Sequence, residues 1–134
     1  MSDREKKILV VDDEAHIVHV VSLKLTNAGY EVMTAHDGEE ALELALQDPP
    51  DLIITDLQMP YLSGVELCVQ LRENAKTSEI PAIMLTARGY ALPQDELAKT
   101  NIKSVMSKPF SPRQVLEAAD ALLGVETEEV AEAA

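Results

Sequence analysis

Basic residues are scarce in this chain: eleven Lys and Arg stand against 24 Asp and Glu, a formal net charge of −13. Nucleic-acid recognition and binding to an anionic membrane surface both need clustered cations, so the composition argues against either. Aromatic residues are scarcer still, with no Trp, three Tyr and one Phe. The core must therefore be assembled from Leu, Ile, Val, Ala and Met. A single Cys rules out an internal disulfide and fits a reducing compartment. The opening MSDREKKILVVDDE is polar and then too briefly apolar for a signal peptide, and no apolar run reaches membrane-spanning length. A cytoplasmic setting is expected. A length of 134 residues suits one domain and leaves no room for a second of ordinary size.

What the chain has is strict alternation of strand and helix patterns. Lys7 to Val11 is a short apolar run ending in acids, followed by helical spacing at Ile17, Val21, Leu25 and Ala28. Gly29 can take the left-handed conformation that stops this helix. Tyr30 to Ala35 alternates as a strand. Asp37-Gly38-Glu39-Glu40 reads as a capping box opening a helix to about Gln47, which Pro49-Pro50 prevents from continuing. Asp51 to Thr55 is the third strand, and Ser63-Gly64-Val65-Glu66 a second capping box, with Leu67, Cys68 and Leu71 on one helix face. Pro81 to Leu85 is the fourth strand. Pro93 then starts a helix late and leaves it short. Lys103 to Met106 is the fifth strand, and Ser111 with Gln114 opens a last helix through Val115, Ala119 and Leu122. Five strands alternating with five helices predict an α/β fold: a doubly wound, five-stranded parallel sheet of flavodoxin-like order 2-1-3-4-5.

In sheets of this type chemistry collects beyond the carboxyl ends of the strands. The residues there are Asp12 and Asp13 with Glu14 after the first strand, Asp56 after the third, Thr86 after the fourth and Lys108 after the fifth. Singly each is bland. An Asp pair before a helix ordinarily complements the helix dipole, a Thr after a strand is ordinarily a turn residue, and Lys-Pro is ordinarily a solvated turn. Asp56 is the least bland, since acids seldom abut a buried strand. Convergent carboxylates need compensation, which a hard divalent cation supplies through oxygen ligands. A carboxylate can also act as a nucleophile toward phosphorus, with Lys108 and Thr86 placed to hold phosphoryl oxygens.

The stretches ILVVDDEAHI, PPDLIITDLQMPYLSG, IPAIMLTARG and VMSKPFSP resemble the receiver domain of bacterial two-component response regulators, the CheY-like type, from about Lys7 to Leu123. The acidic, core-poor run over 124–134 reads as a C-terminal tail, and the resemblance implies a stand-alone receiver domain over 1–123. It implies that Asp56 accepts a phosphoryl group, that Asp12, Asp13, Asp56 and the main-chain carbonyl of Gln58 hold Mg²⁺ (Mn²⁺ substituting), and that Thr86 and Lys108 contact the phosphoryl group. It further implies a cis Lys108–Pro109 peptide. The implied donor is a histidine kinase or a histidine phosphotransfer protein. The output is a separate effector protein or onward relay, with no nucleic acid or membrane partner, and the chain is a switch rather than an enzyme acting on other substrates.

Three positions depart from the family pattern. Val105 stands where Tyr or Phe is usual, so an aromatic flip cannot couple to Thr86 and the signal is expected to leave through the loop backbone from Ala87 to Tyr90. Asn101 replaces a usual Gly and is expected in a left-handed helix cap. Pro93 shortens the fourth helix. Other residues read as structural: His16 and His19 face solvent, two such ligands making a poor zinc site; His36 lies away from the acids; Cys68 is core; Tyr61 and Tyr90 are loop residues. Two readings from other classes stand beside the switch, an aspartate-based phosphatase and a pseudo-receiver that binds partners without phosphorylation. A phosphatase of the haloacid-dehalogenase type would need a second Asp where Gln58 stands, and a pseudo-receiver would have lost one of the acids or the lysine. A flavin carrier fits less well, since the first loop lacks the Gly, Ser and Thr donors of a phosphate cradle.

Overall fold

The computed structural model describes residues 6–86, 93–108 and 110–125. In chain order the elements are β1 (Lys7–Val11), α1 (Ala15–Asn27), β2 (Glu31–Ala35), α2 (Gly38–Gln47), β3 (Leu52–Asp56), α3 (Gly64–Glu73), β4 (Ala82–Thr86), α4 (Gln94–Leu97), β5 (Ile102–Ser107) and α5 (Pro112–Leu123). All strands are parallel and ordered β2-β1-β3-β4-β5, as the alternation predicts. The central strands β3 and β4 are buried at every position, the signature of a parallel sheet covered on both faces.

Alternation of side chains along each strand divides the core into layers. Ile8, Val10, Ile54, Ile83 and Leu85 pack with Val21 and Leu25 of α1 and with Val115, Leu116 and Ala119 of α5. Leu9, Val11 and Ile53 pack with Ala41 and Ala45 of α2 and with Leu67 and Leu71 of α3. A smaller cluster joins Leu57, Cys68, Ala82 and Met84, flanked by Val65 and Ile102. The core is thus aliphatic, and among the described residues Tyr30 is the one aromatic that is buried, its hydroxyl donating to the buried Asp120 carboxylate at 2.5 Å.

Helix ends follow local chemistry, with two departures. Ser63–Glu66 and Ser111–Gln114 form complete capping boxes. At α2 only half the box forms. Asp37 accepts from the Glu40 N–H at 2.8 Å, but the Glu40 carboxylate accepts from the His36 N–H rather than from that of Asp37. Asp37 is almost fully extended there (φ −154°, ψ 170°), which brings the preceding N–H into reach. Gly29 takes φ 112°, as its place after α1 requires. Asn101, in contrast, is not left-handed: among the described residues Tyr61 alone combines a side chain with positive φ. The Asn101 side-chain amide instead donates to the Ser78 carbonyl, and its own carbonyl accepts from the Ala82 N–H at 2.9 Å. The Asn101 side chain therefore ties the start of β5 to the segment after α3 through a bond that Gly could not make, while the main-chain bond to Ala82 is open to any residue.

The fourth helix is short, as Pro93 predicts. Its four residues include no buried side chain. Arg72, in the last turn of α3, donates to the carbonyls of Ala98 and Thr100 at 2.8 and 3.0 Å and pins the segment that follows. The loop from Ala87 to Tyr90, the Lys108–Pro109 peptide and the tail after Val125 fall outside the described residues.

The β3 and β4 strands each run one residue further than the sequence pattern indicates and take in Asp56 and Thr86. Ladder pairing of Asp56 with Leu85 and of Thr86 with Ser107 extends them. The loop after β3 is then folded back by Gly64, whose N–H donates to the Leu57 carbonyl at 2.8 Å. A Cβ at Gly64 would lie 2.3 Å from the Asp56 carbonyl oxygen and 2.9 Å from the Met84 sulfur. Backbone oxygen cannot move aside as a side chain can. Gly64→Ala is therefore expected to cost at least about 2 kcal/mol, measured by urea denaturation. Val65→Ala, one residue along, provides the control for an ordinary loss of packing.

Candidate functional site

The strand register assembles the site. Val11 pairs with Thr55, so Asp12 emerges beside Asp56. Asp56 pairs with Leu85, and Thr86 with Ser107, so Thr86 and Lys108 follow at the same edge. The register between β4 and β5 slips by one residue between Ala82 and Ile83, and this slip leaves Lys108 immediately past the Thr86 pair. The Lys108 N–H closes the corner by donating to the Thr86 carbonyl at 2.9 Å.

The acids expected at the strand ends meet one another and Lys108. Carboxylate oxygens of Asp12, Asp13 and Asp56 lie within 4.8 Å of one another. The Lys108 ammonium stands 3.6 Å from Asp56 Oδ1, 4.0 Å from Asp12 Oδ2 and 3.1 Å from Glu14 Oε1. Asp12, Asp56 and Thr86 are buried, while Asp13 and Gln58 are exposed at the mouth. One Asp12 oxygen accepts from the Glu14 N–H at 2.9 Å; the other, Oδ2, is buried without a hydrogen-bond partner among the described residues, as is the Thr86 hydroxyl. The three histidines are exposed and outside the cluster. Burial pushes the Cys68 thiol up to about 12, which makes it inert. Tyr61 is 79% exposed at φ 71° on the loop after β3. Sequence spacing gave no sign of that conformation, of the Glu14–Lys108 pair or of the contact that makes Gly64 obligatory.

The electrostatics follow from burial. Desolvation raises the Asp12 carboxyl to about 6, assisted by the neighbouring Asp56 and Glu14 charges and opposed by the Glu14 N–H and Lys108. Burial likewise raises Asp56, assisted by Asp13 and opposed by Lys108. For Lys108 burial acts downward, but the hydrogen bond it donates to Glu14 and the charges of Asp56 and Asp12 outweigh it and raise it. A hard divalent cation suits this donor set. It would find oxygen ligands only, an orphaned carboxylate oxygen on Asp12, and a surplus of negative charge that Lys108 alone does not neutralise.

In metal-free protein this arrangement makes ionisation of Asp12 a cost. Its folded pKa, about 6, lies above the unfolded value of about 3.9, so the folded state binds the proton more tightly between those values. Stability is accordingly greater below about pH 4 and is lost as pH rises through about 6. Asp12→Asn, which is isosteric and neutral, is expected to stabilise the chelator-treated protein by on the order of 2 kcal/mol at neutral pH, the gain largely disappearing near pH 4. Urea denaturation of both proteins at the two pH values checks it.

Comparison with known proteins agrees with this geometry. Residues 8–120 match the response regulator receiver domain family. The alkaline phosphatase synthesis transcriptional regulatory protein PhoP of Bacillus subtilis (strain 168) is 44% identical over 118 residues, which is 88% of this chain and 48% of that protein. The transcriptional regulatory protein ResD of the same strain is 41% identical over 119 residues, 89% of this chain and 48% of that one. The chain thus spans about half the length of these curated relatives. Among solved structures, the chemotaxis response regulator CheY4 of Vibrio cholerae superposes with a TM-score of 0.81 at 35% identity, covering 88% of this chain and 98% of that one. The Francisella response regulator 1452 receiver domain gives 0.79 at 31% identity, with 90% and 98% covered. The chain belongs to the response-regulator receiver family, the regulators of two-component signalling.

Proposed function

We propose that this protein is a phosphorylation switch whose acceptor is Asp56. The observation that carries the reading is the convergence on Asp56 of two further carboxylates and one ammonium at the end of a buried strand. The donor is the phosphohistidine of a histidine kinase or of a histidine phosphotransfer protein. An Asp56 carboxylate oxygen attacks phosphorus, the phosphorus–nitrogen bond breaks, and the donor imidazole, already protonated on its other ring nitrogen, leaves as the neutral ring while the acyl phosphate forms. Asp12, Asp13, Asp56 and the main-chain carbonyl of Gln58 would hold Mg²⁺, for which Mn²⁺ would substitute. A cation bound there would supply charge neutralisation to the phosphoryl oxygens. Lys108 supplies a positive charge beside Asp56, and the Thr86 hydroxyl, buried and without a partner among the described residues, donates to a phosphoryl oxygen once one is present.

This work requires no leaving-group acid, and Gln58 provides none, which favours the switch over an aspartate-based phosphatase. The chain acts on its own carboxylate and on no external substrate. Phosphorylation adds roughly two negative charges and three acceptor oxygens. Satisfying them displaces Thr86 and Lys108, and with them the ends of β4 and β5. The receiver, 1–123, then presents an altered surface to a separate effector or passes the phosphoryl group onward, with 124–134 as an acidic tail. The relatives named as transcriptional regulators are about twice as long, and a net charge of −13 leaves this segment unsuited to contact DNA itself. Among the described residues no helix is long and apolar enough to cross a membrane. We place the protein in the cytoplasm, where histidine kinases have their catalytic parts.

Incubation with acetyl phosphate and Mg²⁺ is expected to label one acid-labile carboxyl, mapped by mass spectrometry to Asp56. Asp56→Asn should abolish the label while leaving the far-ultraviolet circular dichroism unchanged. Full labelling of that variant would place the acceptor elsewhere. The double variant Asp12→Ala, Asp13→Ala is expected to lose both label and Mg²⁺ binding by calorimetry. Retention of wild-type Mg²⁺ affinity would remove the two aspartates from the metal site.

A further inference from the structure

Glu14 occupies the N-cap position of α1, yet its side chain makes no cap hydrogen bond. A residue there ordinarily uses a side-chain oxygen to satisfy a free N–H of the first turn. The Glu14 carboxylate turns instead to Lys108, 94 residues distant in the chain, and accepts from its ammonium at 3.1 Å. That is shorter than the approach of the same ammonium to Asp56 at 3.6 Å or to Asp12 at 4.0 Å. The Glu14 side chain is 60% exposed, against 0% for Asp12 and 9% for Asp56. Lys108 therefore leans outward, toward the one solvated acid of the three it can reach.

We propose that Glu14 is a positioning residue that draws Lys108 to the rim of the cleft until a phosphoryl group on Asp56 recaptures it, and so sets how readily the site is loaded. This rests on the reading of Asp56 as phosphoacceptor. An ammonium has three donors but no fixed fork, so it follows the strongest nearby anion. In the resting state a single hydrogen-bonded carboxylate at the rim competes with the buried acids. A phosphoryl group brings roughly two charges and three acceptor oxygens and wins that competition. Loading must first loosen the Glu14 bond, and the Glu14 charge also stands at the entrance used by anionic donors. Because the pair is largely solvated its effect is a few-fold change in rate rather than orders of magnitude.

The position of Lys108 is read without any phosphodonor, by nitrogen NMR of its ammonium in metal-free protein, the resonance being assigned by its loss in Lys108→Met. Glu14→Gln is expected to shift that resonance and to raise the rate of labelling by acetyl phosphate about two- to fivefold at low salt, the gain fading at high salt. Glu14→Asp separates position from simple charge. It keeps the charge but shortens the reach, and Asp favours the cap of α1, so its Lys108 resonance should follow that of Glu14→Gln. A resonance unmoved by Glu14→Gln, or left at the wild-type position by Glu14→Asp, overturns the proposal. Failure of the wild-type protein to take label at Asp56 overturns the phosphoacceptor reading instead, and the resonance still decides where Glu14 holds Lys108.

Discussion

Two carboxylates withdrawn from water at the end of a parallel sheet impose the central constraint on this molecule. Taking one carboxylate out of water costs several kcal/mol even after relaxation, and Asp12 and Asp56 lie side by side. The surroundings offset that cost only in part. Lys108 brings one positive charge, the Glu14 N–H donates to Asp12, and the start of α1 points its positive end at the same corner. The remaining imbalance leaves the corner with surplus negative charge and an Asp12 oxygen that has no hydrogen-bond partner among the described residues. A fully satisfied network at this corner would be more stable and inert.

Holding such a corner together falls to the apolar layers. Ile8, Leu9, Val10 and Val11 lead into Asp12, and Leu52, Ile53 and Ile54 lead toward Asp56, all of them buried. Strand register is strongly specified when both faces are covered, since a slip of one residue would exchange them. The same register that fills the two layers therefore sets the distance between the acids. Gly64 adds a second restraint from outside the sheet by packing directly on the Asp56 carbonyl.

Much of this was legible in the residue order. Continuous apolar runs and three Ser or Asp caps marked the elements, and the strand ends named every member of the acidic cluster together with Thr86 and Lys108. The parts that were not legible share a cause, because each depends on a contact distant in sequence or on backbone conformation. Asn101 carried the composition of a left-handed cap, but its side chain found the Ser78 carbonyl, and bonding there needs no positive φ. Tyr61 took the left-handed conformation that a Gly or Asn would have advertised. Glu40 looked like the second half of a capping box and bonded one residue too early. Glu14 and Lys108 lie 94 residues apart, and nothing in either neighbourhood announces the other.

The fourth helix stands apart from all of this. It places no side chain in the core, and two hydrogen bonds from Arg72 to main-chain carbonyls secure the segment that follows it. Main-chain carbonyls are the same whatever residue bears them. Drift at Gln94, Asp95 and Glu96 is thus nearly invisible to selection for folding. Copies of this gene descending from a common ancestor could diverge along that face, each acquiring its own binding preferences, while the acidic corner around Asp56 passed unchanged from one to the next.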